Sequence, residues 1–431
     1  MTARKTTPNV RTSAPTSAPD GEATETSQSI QRMRSAFADQ LCQHGIVRTP
    51  AVEGALRTVP RHLFVPGAPL EQAYATTPAH AASGSAATSF ITAEPALTAL
   101  LLEQAQVQPG MRVLNIGATT GYPAALLAHL VGEHGHVTTV NTDADLVRTA
   151  IASLAETGFS TIRVVSSQAA VGYPDGAPYD RLITSDATWD VPSAWLPQIA
   201  PNGRLVVPLR LRGSMYRVIA FERTNDHWTA QYSDTAPFIP PQDRITDDPL
   251  RLTALNATCT VALDLHQDQK VDEADLHGVL DRKRSEVWTG VRIPRDAKSI
   301  ELLHLYLACA METSLSRMTA TTDAITTATI TPPFEWGAMA VPSASDLAYI
   351  TLRPTDTTTA ASEVMYDIGV IGHGQGGFSL AGCVADAICL WAREYRERPV
   401  RIDLQRSDAC QQVEGQFVFD RPNSRLVIDW E

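Results

Sequence analysis

Lysine is scarce in this chain. Among 431 residues there are four, Lys5, Lys270, Lys283 and Lys298, and 35 bases in all face 47 acids for a formal net charge of −12. That balance excludes a nucleic-acid binder whose affinity rests on a basic surface. No apolar run reaches the roughly 18–20 residues that span a bilayer, so no membrane helix is expected. The N-terminus lacks an apolar core followed by a cleavage pattern, so no secretory leader is expected. The six cysteines are scattered and form no C-x-x-C pair, which leaves neither a zinc ribbon nor a disulfide framework. The eleven histidines show no metal-ligand spacing, and no metal is expected. Together these absences predict a reduced, cytoplasmic protein. What is present, 44% hydrophobic and 19% charged residues, suits a globular chain. Its length predicts two to three domains.

Residues 1–29 are Thr, Ser, Pro and Ala with almost nothing apolar, and read as a disordered tail. Apolar Met33, Phe37, Leu41 and Ile46 then recur at near-helical spacing. Thr49-Pro50 opens a second helix, with Thr as cap and Pro in the first turn. From residue 95 helices and short apolar strands alternate. Strands are expected at 111–117, 136–141, 162–166, 179–185 and 204–209, with helices between them, the last at 192–199, and a closing hairpin at 217–232. This alternation predicts an α/β, doubly wound, mostly parallel sheet with an antiparallel last strand, and ligands in such sheets lie at the carboxyl ends of the strands. The domain expected on this pattern covers 30–241. Residues 242–431 read as a separate α+β domain, with a helical segment from Ser299 and an amphipathic helix from Ala381 to Arg396. The acid surplus belongs to that second part. It holds 28 acids and 18 bases, against 19 and 17 in residues 1–241, which suits a neutral or basic partner there.

The segment that carries chemistry is Val113-Leu114-Asn115-Ile116-Gly117-Ala118-Thr119-Thr120-Gly121-Tyr122. A buried strand ends in glycine, turns, and opens a helix at a second glycine. Backbone N–H groups and a helix N-terminus can then approach a ligand closely. An ordinary tight turn fits two glycines equally well. A second glycine run, 372–377, follows a strand and precedes a helix, but it lacks the Lys-Ser/Thr of a phosphate loop and reads as a flexible surface loop.

The order of these segments resembles the protein-L-isoaspartate O-methyltransferase family, which uses S-adenosylmethionine. The resemblance is carried by Val59-Pro60-Arg61-His62-Leu63-Phe64-Val65-Pro66, Gly121-Tyr122 with its Ala/Leu-rich helix, Pro178-Tyr179-Asp180-Arg181, the 203–209 strand, and Phe238-Ile239-Pro240-Pro241. It runs from about residue 31 to 241 and implies a Rossmann-like methyltransferase fold. The second half, with Trp288-Thr289-Gly290-Val291 and Pro332-Pro333-Phe334-Glu335-Trp336, is similar to actinobacterial methyltransferases found beside lanthipeptide-type precursor peptides. That branch implies methylation of an Asp carboxylate in a ribosomal peptide, followed by succinimide and isoaspartate formation.

On this resemblance the cofactor site comprises Asn115, Gly117, Ala118, Gly121, Asn141 and Gln168. The family places carboxylates at the positions of Asn115, Asn141 and Gln168, and here all three are amides. An amide keeps an acceptor oxygen but lacks the charge that roughly doubles hydrogen-bond strength. Asp143 and Asp145 read as charges in the first turn of the next helix. The middle glycine of the family's Gly-x-Gly-x-Gly is Thr119. The family's substrate-holding serine is Ala93, so Thr92 is the nearest hydroxyl for positioning substrate, although its place before Glu94 favours a helix cap. Two expectations follow. One is a carboxyl methyltransferase acting on Asp or isoaspartate in a peptide or protein substrate. The other is a degenerate methyltransferase fold that binds a peptide or supports a paralogous methyltransferase as partner.

Overall fold

Short, uniformly apolar strands need cover on both faces, and here they receive it from helices on one side and a second sheet with its helices on the other. The computed structural model describes residues 20–65, 67–76, 95–117, 120–235, 245, 250–294, 297–358 and 364–431. Five parallel strands form the centre: β1 (Arg112–Ile116), β2 (His136–Asn141), β3 (Arg163–Ser166), β4 (Tyr179–Thr184) and β5 (Ile199–Arg212). They lie in the order β3-β2-β1-β4-β5, so β1 and β4 meet where the winding reverses. β5 turns at Gly213 into β6 (Met215–Thr224) and β7 (His227–Thr235), which run antiparallel.

The expected doubly wound sheet is therefore present, but its antiparallel part has five strands. β15 (Val400–Arg406), β16 (Phe417–Asp420) and β17 (Ser424–Trp430) join β7 to complete a ten-stranded sheet. The expected division at residue 242 into separate units is thus crossed by the end of the chain. The reason is the free edge of β7. An unpaired strand edge must be covered, and here the last strands of the same chain cover it. Between them, β8 (Arg251–Ala254), β9 (Val261–Leu265), β10 (Arg284–Pro294), β11 (Ser316–Ala320), β12 (Gly337–Ser343), β13 (Asp346–Thr358) and β14 (Val364–His373) form an antiparallel seven-stranded sheet.

On one face of the large sheet lie α1 (Asp20–Gln43), α2 (Pro50–Thr58), α3 (Pro95–Ala105) and α4 (Tyr122–Val131), joined through Phe37, Leu56, Leu101 and Leu126. α5 (Ala144–Glu156) lies between β2 and β3 in sequence. On the other face α6 (Ala297–Ala310) and α7 (Gly377–Glu394) share a core with both sheets, in which Leu303, Ile388 and Trp391 cluster with Leu205 and Phe221 and with Ile350 and Val370. Thr49 caps α2 as expected, accepting from Val52 N at 3.4 Å. The Glu103 carboxylate in turn accepts from Arg48 N and Thr49 N, both at 2.9 Å.

Three local expectations are corrected. The tail expected over 1–29 gives way to helix at Asp20, because apolar spacing marks where a helix is buried and not where it starts. The helix expected over 192–199 is a single 3-10 turn, Leu196–Gln198, since Pro192 and Pro197 withhold backbone donors. The glycine run at 372–377 is a tight strand-to-helix turn closed on Asp346. Gly376 N donates to Asp346 Oδ1 at 2.9 Å, and a Cβ on Gly374 would lie 2.1 Å from the same oxygen.

Candidate functional site

The parallel register brings the carboxyl ends of β1, β2 and β4 together. Gly117 N donates to Val140 O, and Ser185 N to Ile116 O, each at 3.0 Å. Asn115 is buried at the end of β1. Its Nδ2 donates to Thr139 Oγ1 at 3.2 Å, while its Oδ1, also buried, has no hydrogen-bond partner among the described residues. Gly117 follows at φ +88°, and Gly121, at φ +85°, opens α4 without a side-chain cap. Both angles lie in the left-handed region that only glycine adopts without penalty. The first N–H of α4, that of Tyr122, donates to Thr120 Oγ1 at 3.4 Å, and Pro123 after it has none.

Asn141 ends β2 and is buried. Its Oδ1 accepts from Asp143 N at 2.8 Å, so one of its two lone pairs is engaged by its own turn. Gln168 is exposed in the turn after β3, which is tied to β2 through Ser167 N and Asn141 O at 3.1 Å. Asp143 caps α5, accepting from Asp145 N at 2.7 Å and Leu146 N at 3.3 Å, as its place in the first turn suggested. Thr92 and Ala118, with Ala93 and Thr119, lie outside the described residues. So does the 238–241 segment.

Asp186 escaped the sequence reading. It stands just past β4, buried, and a Cβ on Gly117 would lie 2.1 Å from its Oδ2. A carboxylate therefore rests directly against the glycine of β1. The available signal was an acid two residues beyond the end of the strand that neighbours β1. The loop that carries it is held from the far end of the chain. Asp190 accepts from Asn423 N at 2.7 Å, Asn423 Nδ2 at 2.9 Å and Ser424 Oγ at 2.5 Å, and Arg421 donates to the Trp189 carbonyl. Behind the site the 59–65 element packs on α4. The Arg61 guanidinium lies 5.0 Å from the Tyr122 ring centroid, and its Nε donates to Ala73 O at 2.9 Å. Burial lowers the Arg61 pKa and raises that of the Tyr122 hydroxyl, so Tyr122 stays neutral.

Parallel strand tips, a glycine turn opening a helix at the reversal of strand order, and a buried acceptor without a partner among the described residues lie where ligands bind in doubly wound α/β proteins. The family model for protein-L-isoaspartate(D-aspartate) O-methyltransferase matches residues 32–246. The chain is similar to protein-L-isoaspartate O-methyltransferases of Hyperthermus butylicus (34% identical over 188 residues, 42% of this chain and 76% of the relative) and Methanopyrus kandleri (33% over 198 residues, 46% and 85%). It belongs to the protein-L-isoaspartate O-methyltransferase family. Among solved structures, a protein-L-isoaspartate O-methyltransferase matches 86% of this chain and 96% of its own at 19% identity and TM-score 0.44. A Plasmodium falciparum chain described as such a methyltransferase, in complex with S-adenosyl-L-homocysteine, matches 48% and 98% at 16% identity and TM-score 0.40.

Proposed function

We propose that the chain is an S-adenosylmethionine-dependent O-methyltransferase that esterifies an Asp or isoaspartate carboxylate in a peptide. The observation that carries this reading is the buried Asn115 Oδ1 close to Gly117, without a hydrogen-bond partner among the described residues. Such an acceptor costs about 1–3 kcal/mol unless a donor reaches it, and the ammonium of the cofactor is a donor of the right kind. Gly117 and Gly121 hold the ends of the turn at left-handed angles and place no side chain there. Asp186 supplies the negative charge that Asn115, Asn141 and Gln168 do not.

When bound, S-adenosylmethionine supplies a methyl group on a positively charged sulfur. This chain's residues then have little proton transfer to perform, because an ionised carboxylate needs no base. Their work is positioning and exclusion of water. A new O–CH3 bond forms as the S–CH3 bond breaks, and the electron pair stays on sulfur. For the substrate we propose a ribosomal peptide. In it the neighbouring backbone nitrogen attacks the ester, expels methanol and closes a succinimide, which water opens to isoaspartate. The protein partner of this reading is the modified peptide.

Calorimetric titration with S-adenosylmethionine and S-adenosylhomocysteine, followed by methyl-ester detection on an isoaspartyl peptide, tests the proposal. Micromolar binding with ester formation supports it, and absence of heat at millimolar cofactor removes it. A second reading is favoured by one feature, the engagement of Asn141 Oδ1 by Asp143 N where the cofactor's ribose needs an acceptor. In it the fold binds a peptide, or a paralogous methyltransferase, without transferring methyl. Peptide binding without cofactor binding is its signature.

A further inference from the structure

β15 pairs with β7 at two positions, Asp403 with Thr229 and Leu404 with Trp228. Continued in register, the next partners would be Ile402 with Ala230 and Val400 with Tyr232, yet no pairing is formed there. The strands part instead around a cleft of about 610 Å³, with residues 230–233 as one wall and Pro399, Val400 and Ile402 as the other. A bulge opens it further. Ala220 faces Tyr232 while Phe221 faces Ala230, so Gln231 is the additional residue.

The floor is apolar, formed by Leu302, Leu305 and Trp391, and behind it two buried donors, Arg217 Nη1 and Trp391 Nε1, have no hydrogen-bond partner among the described residues. Arg217 is 5% exposed and held in place. Its Nε donates to Ser233 Oγ at 2.6 Å and its Nη2 to Ser233 O at 2.7 Å, while Glu301 stays 4.0 Å from Nη1. Arg396 and Arg398 complete the rim with a single acid, Glu397, whose side chain is 93% exposed. Glu301 and Asp234 offset the charge of Arg217, so the basic character of the rim in this protein of net charge −12 rests on Arg396 and Arg398 against Glu397.

We infer that the cleft between β7 and β15 is a second binding site, for an extended peptide segment that carries carboxylates. The part of the β7 edge beyond Thr229, which β15 leaves unpaired, recognises a peptide backbone by strand addition, and the apolar floor takes alternate side chains. A carboxylate on the peptide pairs with Arg396 and Arg398 on the rim through charge-assisted hydrogen bonds. The site is separate from the strand-tip site, and the inference holds for either reading of that site.

The test uses the full chain and fluorescence anisotropy, without cofactor. The probe is a fluorescein-labelled heptapeptide of alternating Val and Glu, with Gln in place of Glu as its control. The Glu peptide is expected to bind at least about tenfold more tightly than the Gln peptide. Arg396→Glu with Arg398→Glu, both on the rim, is expected to weaken it by about tenfold or more while leaving the thermal transition in place. Ala230→Trp, which fills the cleft, is expected to do the same. Arg217→Met removes a buried donor and is interpretable only if its thermal transition is retained, so the rim and filling variants decide. Equal binding of the two peptides, or unchanged binding to both decisive variants, overturns the inference. So does displacement of the peptide by a short single-stranded oligonucleotide that binds more tightly. Because no cofactor is present, failure of methyl transfer leaves this result untouched, and failure of peptide binding leaves the cofactor titration untouched.

Discussion

Asn115 and Gly117 are adjacent in function because of opposite chemical deficits. Asn115 presents an acceptor without charge, and Gly117 presents no side chain at all. Replacing the amide by a carboxylate, Asn115→Asp, is expected to tighten S-adenosylmethionine binding by about tenfold, the difference between a neutral and a charge-assisted hydrogen bond; titration calorimetry reads it directly. Gly117→Ala places a methyl 2.1 Å from Asp186 Oδ2 at φ +88°. It is expected to lower stability by at least about 2 kcal/mol, from left-handed strain and the displaced carboxylate, and to abolish cofactor binding. Denaturant unfolding and the same titration check both effects. The strand-turn-helix punctuation at Gly117 and Gly121 was legible because it is local, and Asn115 and Asn141 entered through the family resemblance. Asp186 was not legible, since its importance comes from β4 lying beside β1, a pairing across 65 or more residues.

Among the elements, α6 carries a titratable group in the core. His304 lies on the helix, and burial lowers its pKa to about 4. Its ring faces Phe334, with centroids 6.3 Å apart. The unfolded chain takes up this proton near pH 6.5 and the folded chain does not until about pH 4. Its contribution is therefore complete above pH 6.5, falls as the pH drops from 6.5 to 4, and levels off below, a loss on the order of 3 kcal/mol. Denaturant unfolding across that window in the parent and in His304→Leu checks this; the variant is expected to lose that part of the slope. The helix itself was legible as an apolar segment from Ser299. That both sheets meet it was not, because helical spacing shows which residues are buried and not against what.

For the whole molecule, the added half of the chain is structural cover as well as addition. The face of the large sheet that carries Leu205, Val207, Ile219 and Phe221 is buried in one core with Leu303, Ile388, Trp391 and Ile402. Burial of such side chains stabilises by roughly 1.5–3 kcal/mol each, a sum comparable with the margin of about 5–15 kcal/mol that keeps a domain folded. A fragment ending at residue 241 is therefore expected to aggregate, although it contains nearly all of the family-matching segment. Size-exclusion chromatography of the fragment beside the full chain tests this, and a soluble monomeric fragment would remove the argument. The acid surplus of residues 242–431 suited a neutral or basic partner on average; the cleft beside β7 is a local exception, because folding sets Arg396 and Arg398 beside the distant 230–233 edge of β7.

The sequence by itself determined the alternation of strands and helices, the glycine turn after β1, the amides at the strand tips and the family to which the chain belongs. Each of these is written in neighbouring residues, in hydrophobic period and in residue type at a fixed offset. Only the tertiary structure decided that residues 400–430 complete the first sheet, that Asp190 is held by Asn423 and Ser424, that Asp186 rests against Gly117, and that β7 and β15 part into a basic cleft. Those depend on which strand edges remain free once the local elements have formed and on which distant segment covers them, and no local pattern encodes that choice.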